Sequence, residues 1–231
     1  MRALIAQGIL GPALIVFVNF HSATALTLTP PSVSATRVAG RSLHAAALAP
    51  ATLPKAMVFD LDGCLWYPEM YMMWGGGAPF SVRGDGDLSD QTGKRVYLLG
   101  DVRRIFYQLK TAPEWEGVMV AVASCTDEPD WARECMRKFN VGPNVHMDDV
   151  VQVEEICKGN KRGHLKRIAQ VTGIPLEEML FFDNERGNCI DVAELGVTVA
   201  WVPDGVTAYA WEQSLEQFPE PGTIFDFRMG G

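Results

Sequence analysis

The sequence predicts an α/β fold: a parallel sheet with helices on both faces and a small β-hairpin flap instead of a large cap domain. Five apolar segments rich in Val, Phe or Ile are separated by stretches whose apolar residues recur at helical spacing. That alternation is typical of parallel α/β architecture. Polar motifs follow several of these segments, and residues 66–100 carry glycine-rich turns instead of a helix. Together these observations indicate one folded domain, residues 55–231.

The individual elements follow from the same alternation. We expect strands at about 56–60, 118–123, 146–150, 179–182 and 197–202. We expect helices at about 101–111, 128–139, 160–172 and 188–195, with Asp101, Asp127 and Asn160 as N-caps. Gly173, followed by Ile174 and Pro175, ends the third helix.

The flap is predicted at about residues 66–100. An apolar stretch from Met70 to Trp74 leads into three glycines, and turn signals at 84–86 and 90–93 flank short extended segments. A flap after the first strand could exclude water from a site at the end of that strand. The alternative is that these Met and Trp side chains only pad the edge of the sheet.

The first 54 residues predict a leader rather than part of the fold. Residues 1–25 combine an arginine, an apolar run and a small-residue A-x-A site, as in a signal peptide, although an uncleaved signal anchor has similar length. Residues 26–54 are rich in Ser, Thr, Ala and Pro and contain no acid, which is typical of a transit peptide or a disordered linker. We therefore expect entry into the secretory route. A plastid enclosed by extra membranes is one destination, and an endomembrane anchor or secretion is the alternative.

Charge and cysteine content restrict the function. No Asp or Glu precedes Asp60, so from Lys55 onward the chain carries 17 basic against 28 acidic residues, a net charge of −11. Such a surface repels phosphates of nucleic acids, and no membrane partner is expected after leader removal. The five cysteines contain no C-x-x-C pair, which argues against a zinc site and a disulfide framework.

Four motifs lie where predicted strands end or a helix begins. Asp60-x-Asp62-Gly63 follows the first strand, and Ser124 follows the second. Lys158 and Lys161 flank the start of the third helix, and Asp183 with Asn184 follows the strand ending in Phe182. In open α/β sheets, ligands bind outside the carboxyl ends of the strands, so these segments can converge.

This order of motifs resembles that of the haloacid dehalogenase-like (HAD) phosphohydrolases, which have a Rossmann-like sheet. Within them the chain is most similar to the magnesium-dependent phosphatases, an acid phosphatase family with a small flap. It shares the Leu65-Trp66 continuation and F-F-D-x-E followed by Asn188-x-Ile190-Asp191-Val192. The resemblance spans about residues 55–205.

The carboxylates suit phosphoryl transfer through a covalent intermediate. Asp60 is the candidate nucleophile, because a carboxylate facing a phosphate monoester can form an acyl phosphate. Asp62 is the candidate general acid and base, a role that suits a carboxyl with a raised pKa. Its presence favours phosphatases over dehalogenases, which lack this second acid.

The resemblance also implies a Mg²⁺ ion held by Asp60, the backbone of Asp62, and Asp183. It implies that Ser124 binds the phosphoryl group and that Lys161 balances its charge, with Lys158 as the alternative lysine. Asn184 departs from the family, since many relatives have a second acid there, and a weaker affinity for the metal is expected.

The expected function is Mg²⁺-dependent hydrolysis of phosphate monoesters through an aspartyl phosphate. The resemblance implies phosphotyrosine or phosphorylated sugar-type substrates. Two alternatives stay open on the sequence: a non-catalytic phosphate-binding module and a phosphotransferase to an acceptor other than water.

Overall fold

A computed structural model describes residues 52–228 of the 231-residue chain. Residues 1–51 of the leader predicted at residues 1–54 lie outside this range. Within residues 52–228, the strands are β1 (Ala56–Phe59), β2 (Trp66–Tyr67), β3 (Ser81–Val82), β4 (Leu88–Ser89), β5 (Arg95–Leu98), β6 (Met119–Ser124), β7 (Asn140–Gly142), β8 (Val145–His146), β9 (Val153–Ile156), β10 (Met179–Asp183), β11 (Thr198–Trp201) and β12 (Ile224–Asp226). The α-helices of the same range are α1 (Val102–Thr111), α2 (Pro129–Lys138), α3 (Lys161–Thr172), α4 (Arg186–Ala193) and α5 (Ala208–Glu216).

Six strands form a parallel sheet in the order β12-β11-β10-β1-β6-β9. The chain leaves β1 for β6 and β9 on one side and then returns to β10, β11 and β12 on the other. This reversal of strand order leaves a crevice outside the carboxyl ends of the central strands, where α/β proteins bind ligands. The predicted α/β fold class is confirmed.

Helices cover both faces of the sheet. One buried cluster joins the sheet to α1, α2 and α5, and a second joins its other face to α3 and α4. In the first cluster, the ring of Phe59 stacks on that of Phe182 with centroids 5.1 Å apart, and Phe182 stacks on Trp211 at 5.9 Å. All three side chains are buried, so removal of any one would cost about 3–5 kcal/mol of unfolding free energy.

The strand predicted at 146–150 is wrong. Residues Val145–His146 form the short strand β8, whose one strand partner within residues 52–228 is β7, and a 3-10 turn follows at Met147–Asp149. The edge position beside β6 in the six-stranded sheet is taken instead by β9, whose sequence VEEI contains two glutamates. The strand β12 at the opposite edge was not predicted from the sequence.

The helix predictions hold apart from four details. α4 begins at Arg186 rather than at 188, and α5 was not predicted. Asn160 caps α3 as predicted, since its side chain accepts a hydrogen bond from the Gly163 amide. Asp101 stands at the N-cap of α1 but its side chain makes no capping bond, and the N-cap of α2 is Glu128 rather than Asp127.

The region of the predicted flap forms a separate four-stranded antiparallel sheet in the order β2-β5-β4-β3. Its turns fall at the glycine-rich segments, since Gly86 and Gly93 adopt the left-handed backbone that favours glycine. Asp90 stabilises the second turn by accepting hydrogen bonds from the amides of Thr92 and Lys94, and it also accepts one from the amide of Gly77, in the segment before β3. Among residues 52–228, none of the helices has the length and apolarity needed to cross a membrane.

Candidate active site

The register of the parallel strands brings the sequence motifs to one edge of the sheet. Phe59 is paired with Val122 on β6 and with Phe182 on β10, so the residues that follow each of them lie side by side. Asp60 stands directly after β1 and donates its backbone amide to the carbonyl of Phe182 at 2.9 Å. Asp183 is the last residue of β10. Two acids 123 positions apart in sequence are thereby neighbours.

Lys161 joins these acids at the base of the crevice. Its ammonium donates to Asp60 Oδ1 and to the carbonyl oxygen of Ala123 at 2.5 Å, and it lies 3.3 Å from Asp183 Oδ2. The residue is only 1% exposed. Burial by itself lowers the pKa of this ammonium, but the charges of Asp60 and Asp183 outweigh burial, so the pKa of Lys161 is raised. It is therefore a permanent cation between two carboxylates.

Asp62 is held by neighbouring donors. Its Oδ1 accepts a hydrogen bond from the Trp66 indole at 2.7 Å, its Oδ2 accepts one from the Met70 amide at 3.2 Å, and the Thr126 side chain also bonds to it. Burial, and then the charge of Asp60, raises the pKa of Asp62 to about 6. A carboxyl with this pKa can both donate and accept a proton near neutral pH.

Asp183 is fully buried and is fixed from its own loop and helix. The backbone amide of Glu185 donates to its Oδ1 at 2.7 Å, and the side-chain Nδ2 of Asn188 donates to Oδ1 at 3.3 Å and to Oδ2 at 3.1 Å. Burial, and then the charge of Asp60, raises the pKa of Asp183. The orientation of this carboxylate is thus set before any ligand arrives.

The carboxamide of Asn184 closes the other side of the Asp60 carboxylate. One end of it lies 3.3 Å from Asp60 Oδ2 and 3.1 Å from the carbonyl oxygen of Asp62, and the amide nitrogen in this position donates to both. With the amide turned over, three oxygens would face one another, which is a donor set that suits a hard cation such as Mg²⁺. A Cβ on Gly63 would lie 2.4 Å from this carboxamide, so glycine leaves the room that Asn184 fills.

Ser124 ends β6 beside the same crevice. It is buried, and its Oγ accepts a hydrogen bond from the Thr126 amide at 3.3 Å. Ser124 lines a cavity of about 250 Å³ together with Asp60, Asp62 and Lys161. The predicted catalytic side chains therefore share one cavity, large enough for a phosphoryl group and part of its ester.

Lys158 lies apart from this cluster. Its side chain is 77% exposed, and its ammonium pairs with Asp127 at 3.0 Å instead of with Asp60 or Asp183. Of the two lysines that the sequence left open, the structure brings only Lys161 to the acids.

Sequence reasoning missed several groups that hold the site. Asn188 orients Asp183, Trp66 and Thr126 orient Asp62, and the carbonyl of Ala123 anchors Lys161. The signal for Asn188 was its place on the first turns of a helix that follows the acid-ended strand. No sequence signal identifies a backbone carbonyl as a lysine anchor.

These features define a HAD-like hydrolase: the sheet is parallel, and paired acids follow its central strand. A serine and a further acid stand at the neighbouring strand ends, and a buried lysine stands at a helix start. The family model described as Acid Phosphatase matches residues 52–221. The chain therefore belongs to the acid phosphatase family, and the resemblance to HAD-superfamily magnesium-dependent phosphatases is confirmed.

Two curated relatives and one solved structure show the extent of the similarity. The chain is 36% identical over 174 residues to human Magnesium-dependent phosphatase 1, covering 75% of this chain and 92% of that protein. It is 32% identical over 150 residues to a HAD-like hydrolase superfamily protein of Schizosaccharomyces pombe, covering 63% and 83% respectively. The N-terminal part of a Bacteroides fragilis protein, containing a phosphatase domain complexed with Mg, gives a TM-score of 0.49 at 19% identity. That match covers 74% of this chain and 42% of that one.

Proposed function

We propose that this protein is a Mg²⁺-dependent phosphatase that hydrolyses phosphate monoesters through an aspartyl phosphate on Asp60. The observation that carries the proposal is the cavity in which Asp60, Asp62, Ser124 and Lys161 meet. The family supports the reaction class, and the name of the human relative supports the metal.

The residues present fit a magnesium ion. Asp60 Oδ2, the Asp62 carbonyl and the Asn184 carboxamide already face one another, and the Asp183 carboxylate contacts the same Lys161 ammonium as Asp60 does. We assign the metal to Asp60, the Asp62 backbone and Asp183, with Asn184 beside them. When bound, Mg²⁺ supplies positive charge that screens the approach of a carboxylate to a phosphate dianion.

Asp60 acts as the nucleophile in the first step. One of its oxygens forms a bond to phosphorus while the bond from phosphorus to the ester oxygen breaks. Lys161 holds Oδ1 of this carboxylate, which fixes the direction of attack and leaves Oδ2 on the side of Asp62. The intermediate is an acyl phosphate, which water can attack at phosphorus in the second step to release inorganic phosphate and restore Asp60.

Asp62 moves the proton in both steps. Its protonated carboxyl donates to the departing ester oxygen, and the resulting carboxylate then accepts a proton from the attacking water. With the pKa raised to about 6, roughly a tenth of the Asp62 carboxyls are protonated at pH 7, far more than for an ordinary aspartate. The bonds from Trp66 and Met70 hold the side chain still between the two transfers.

Ser124 and Lys161 stabilise the phosphoryl group during transfer. The Ser124 hydroxyl faces the cavity at the end of β6 and can donate to a phosphoryl oxygen. Lys161, permanently charged, offsets the negative charge that accumulates as the group transfers.

For the substrate we propose an ester whose organic part is aromatic, as in phosphotyrosine, rather than a phosphorylated sugar. A groove of about 310 Å³ adjoins the cavity and shares Tyr71 and Asp127 with it, and its other lining residues include Met73, Trp74 and Trp131. Trp74 is 88% exposed, which places a large ring where a leaving group could stack on it.

The groove is tested with Trp74→Ala. We expect a larger loss of kcat/KM for phosphotyrosine than for a hexose phosphate. Equal losses on both substrates would remove the proposed preference while leaving the phosphatase assignment intact.

The function itself is tested by turnover of a generic phosphate ester by the full chain. Activity should disappear with EDTA, return with Mg²⁺, and be absent in Asp60→Asn. Asp130→Asn is the matched control, because its side chain is 95% exposed on α2. Phosphate binding without turnover would instead indicate a binding module, and a phosphorylated acceptor among the products would indicate a phosphotransferase.

For residues 1–54 we propose a leader, on sequence grounds alone. A fluorescent protein fused after residue 54 should enter the secretory route, and a fusion that remains in the cytosol would contradict this.

A further inference from the structure

Three side chains outside the phosphatase site converge at the start of α3. Glu155 is on β9, Cys157 follows that strand directly, and His164 is on α3. One ligand atom from each lies within 4.8 Å of the other two. The spacing 155, 157 and 164 matches no familiar metal-binding motif, so the sequence alone does not group these residues.

The distances are close to those of a tetrahedral zinc site. Cys157 Sγ lies 3.7 Å from His164 Nε2 and 4.0 Å from Glu155 Oε2. A tetrahedral Zn²⁺ with Zn–S of about 2.3 Å and Zn–N of about 2.0 Å separates these ligand atoms by about 3.5 Å. Small rotations of the Cys157 and Glu155 side chains would therefore suffice.

His164 is a buried ring whose polar atoms are poorly satisfied. The residue has no exposed surface, its Nδ1 has no hydrogen-bond partner among the described residues, and its Nε2 lies 3.7 Å from the thiol of Cys157. Buried polar atoms are normally bonded, because leaving one unpaired costs free energy. An imidazole aimed at a thiol and a carboxylate has the geometry of a metal ligand.

Arg167 places a positive charge against this cluster. Its guanidinium donates to Glu155 Oε2 at 2.7 Å and lies 3.6 Å from Cys157 Sγ, so it contacts two of the three ligand atoms. The side chain is 45% exposed and can move into solvent. An arginine therefore competes with any cation for these atoms.

We propose that Glu155, Cys157 and His164 form a second metal site, which binds one Zn²⁺ or a similar thiophilic divalent ion with water in the fourth position. The sulfur and nitrogen ligands separate it chemically from the Mg²⁺ site, where all ligands are oxygens. Binding replaces Arg167 and releases the thiol proton of Cys157 to solvent. Because α3 begins at Lys161, the ion would tie the strand end before the catalytic lysine to the helix that carries it.

The test is a Co²⁺ titration of the full chain in excess Mg²⁺, so that the oxygen site stays filled. A single equivalent should produce a thiolate-to-cobalt charge-transfer band and the intense visible bands of tetrahedral cobalt, and Zn²⁺ should abolish both. Cys157→Ser should remove the charge-transfer band. Because Cys157 is exposed, this variant should fold normally, which a thermal melt checks.

Two further variants sharpen the result. Cys125→Ser is the matched control, because Cys125 follows Ser124, the strand partner of Ile156, and so carries a free thiol on the neighbouring strand end. It should keep the charge-transfer band. Arg167→Ala should tighten Zn²⁺ binding several-fold, since the competing cation is gone. No charge-transfer band in the wild type, a band that survives Cys157→Ser, or a band lost in Cys125→Ser would overturn the proposal.

Discussion

Lys161 and Asp60 are 101 residues apart in the chain and form a buried ion pair at the carboxyl edge of the sheet. Asp183 lies against the same ammonium at 3.3 Å. The pair therefore has two tasks: it compensates charges that burial would otherwise make costly, and it orients the carboxylate that we propose as nucleophile.

Replacement of Lys161 by Met should damage both stability and activity. It leaves two buried carboxylates without their cation, which we expect to lower the free energy of unfolding by about 3–5 kcal/mol in denaturant titrations. Lys158→Met is the matched control. Its ion pair with Asp127 is exposed, so the change should stay below about 1 kcal/mol, with turnover retained. Equal effects of the two substitutions would contradict the assignment of Lys161.

The contribution of Asp62 to the stability of the metal-free protein should fall as pH rises from about 4 to 7. The pKa of Asp62 is raised on folding from 3.8 to about 6, so its contribution is fully present below the unfolded value and is lost as pH rises through about 6. About two pKa units correspond to about 3 kcal/mol. Asp183 shifts in the same direction.

This pH dependence is measured by urea unfolding in EDTA at several pH values. In Asp62→Asn the curve should be flatter between pH 4 and 7, because the titrating carboxyl is gone. An unchanged slope in that variant would show that other groups cause the pH dependence.

Asp62→Asn should lower turnover in a way that depends on the leaving group. Loss of the proton donor typically costs about 10²–10⁴-fold in rate, and we expect this range for alkyl phosphates. An ester such as p-nitrophenyl phosphate needs little protonation of its leaving group, so its phosphorylation step should be affected less. Single-turnover rates of the two ester types in the variant and wild type provide the comparison. An identical loss for both would argue against proton donation by Asp62.

Asn184 should tune the affinity for Mg²⁺. Asn184→Ala removes the carboxamide beside Asp60 Oδ2 and the Asp62 carbonyl, and we expect about 10–100-fold weaker metal activation. Asn184→Asp adds a negative charge at the same place and should tighten it. The Mg²⁺ concentration for half-maximal activity measures both effects. Tighter activation in Asn184→Ala together with weaker activation in Asn184→Asp would show that Asn184 does not face the metal.

Much of the fold could be predicted from the sequence because the central strands are nearly continuous apolar runs. β1, β6, β10 and β11 are buried on both faces and carry that signal. The edge strand β9 was missed because it lacks a continuous apolar run. One of its edges is unpaired, so it tolerates two glutamates. The segment predicted as a strand at 146–150 contains two aspartates itself, and its residues Met147–Asp149 form a 3-10 turn.

The motifs of the site could be predicted from the sequence, but the contacts between their side chains could not. The predicted strand ends identify Asp60, Ser124 and Asp183 as site residues, because parallel strands bring their carboxyl ends to one edge of the sheet. The choice between Lys158 and Lys161 depends on where the helix begins in three dimensions. Because α3 begins at Lys161, Lys158 lies in an exposed loop.

The most direct test of the central claim is to locate the phosphoryl group on the enzyme. Asp62→Asn should accumulate the intermediate from p-nitrophenyl phosphate, because no base remains to activate water. After acid quench and proteolysis, mass spectrometry should find one added phosphoryl group on the peptide containing Asp60, and none when Asp60→Asn is added to the same variant. A phosphoryl group on another residue, or undiminished turnover by the Asp60→Asn enzyme, would contradict the account.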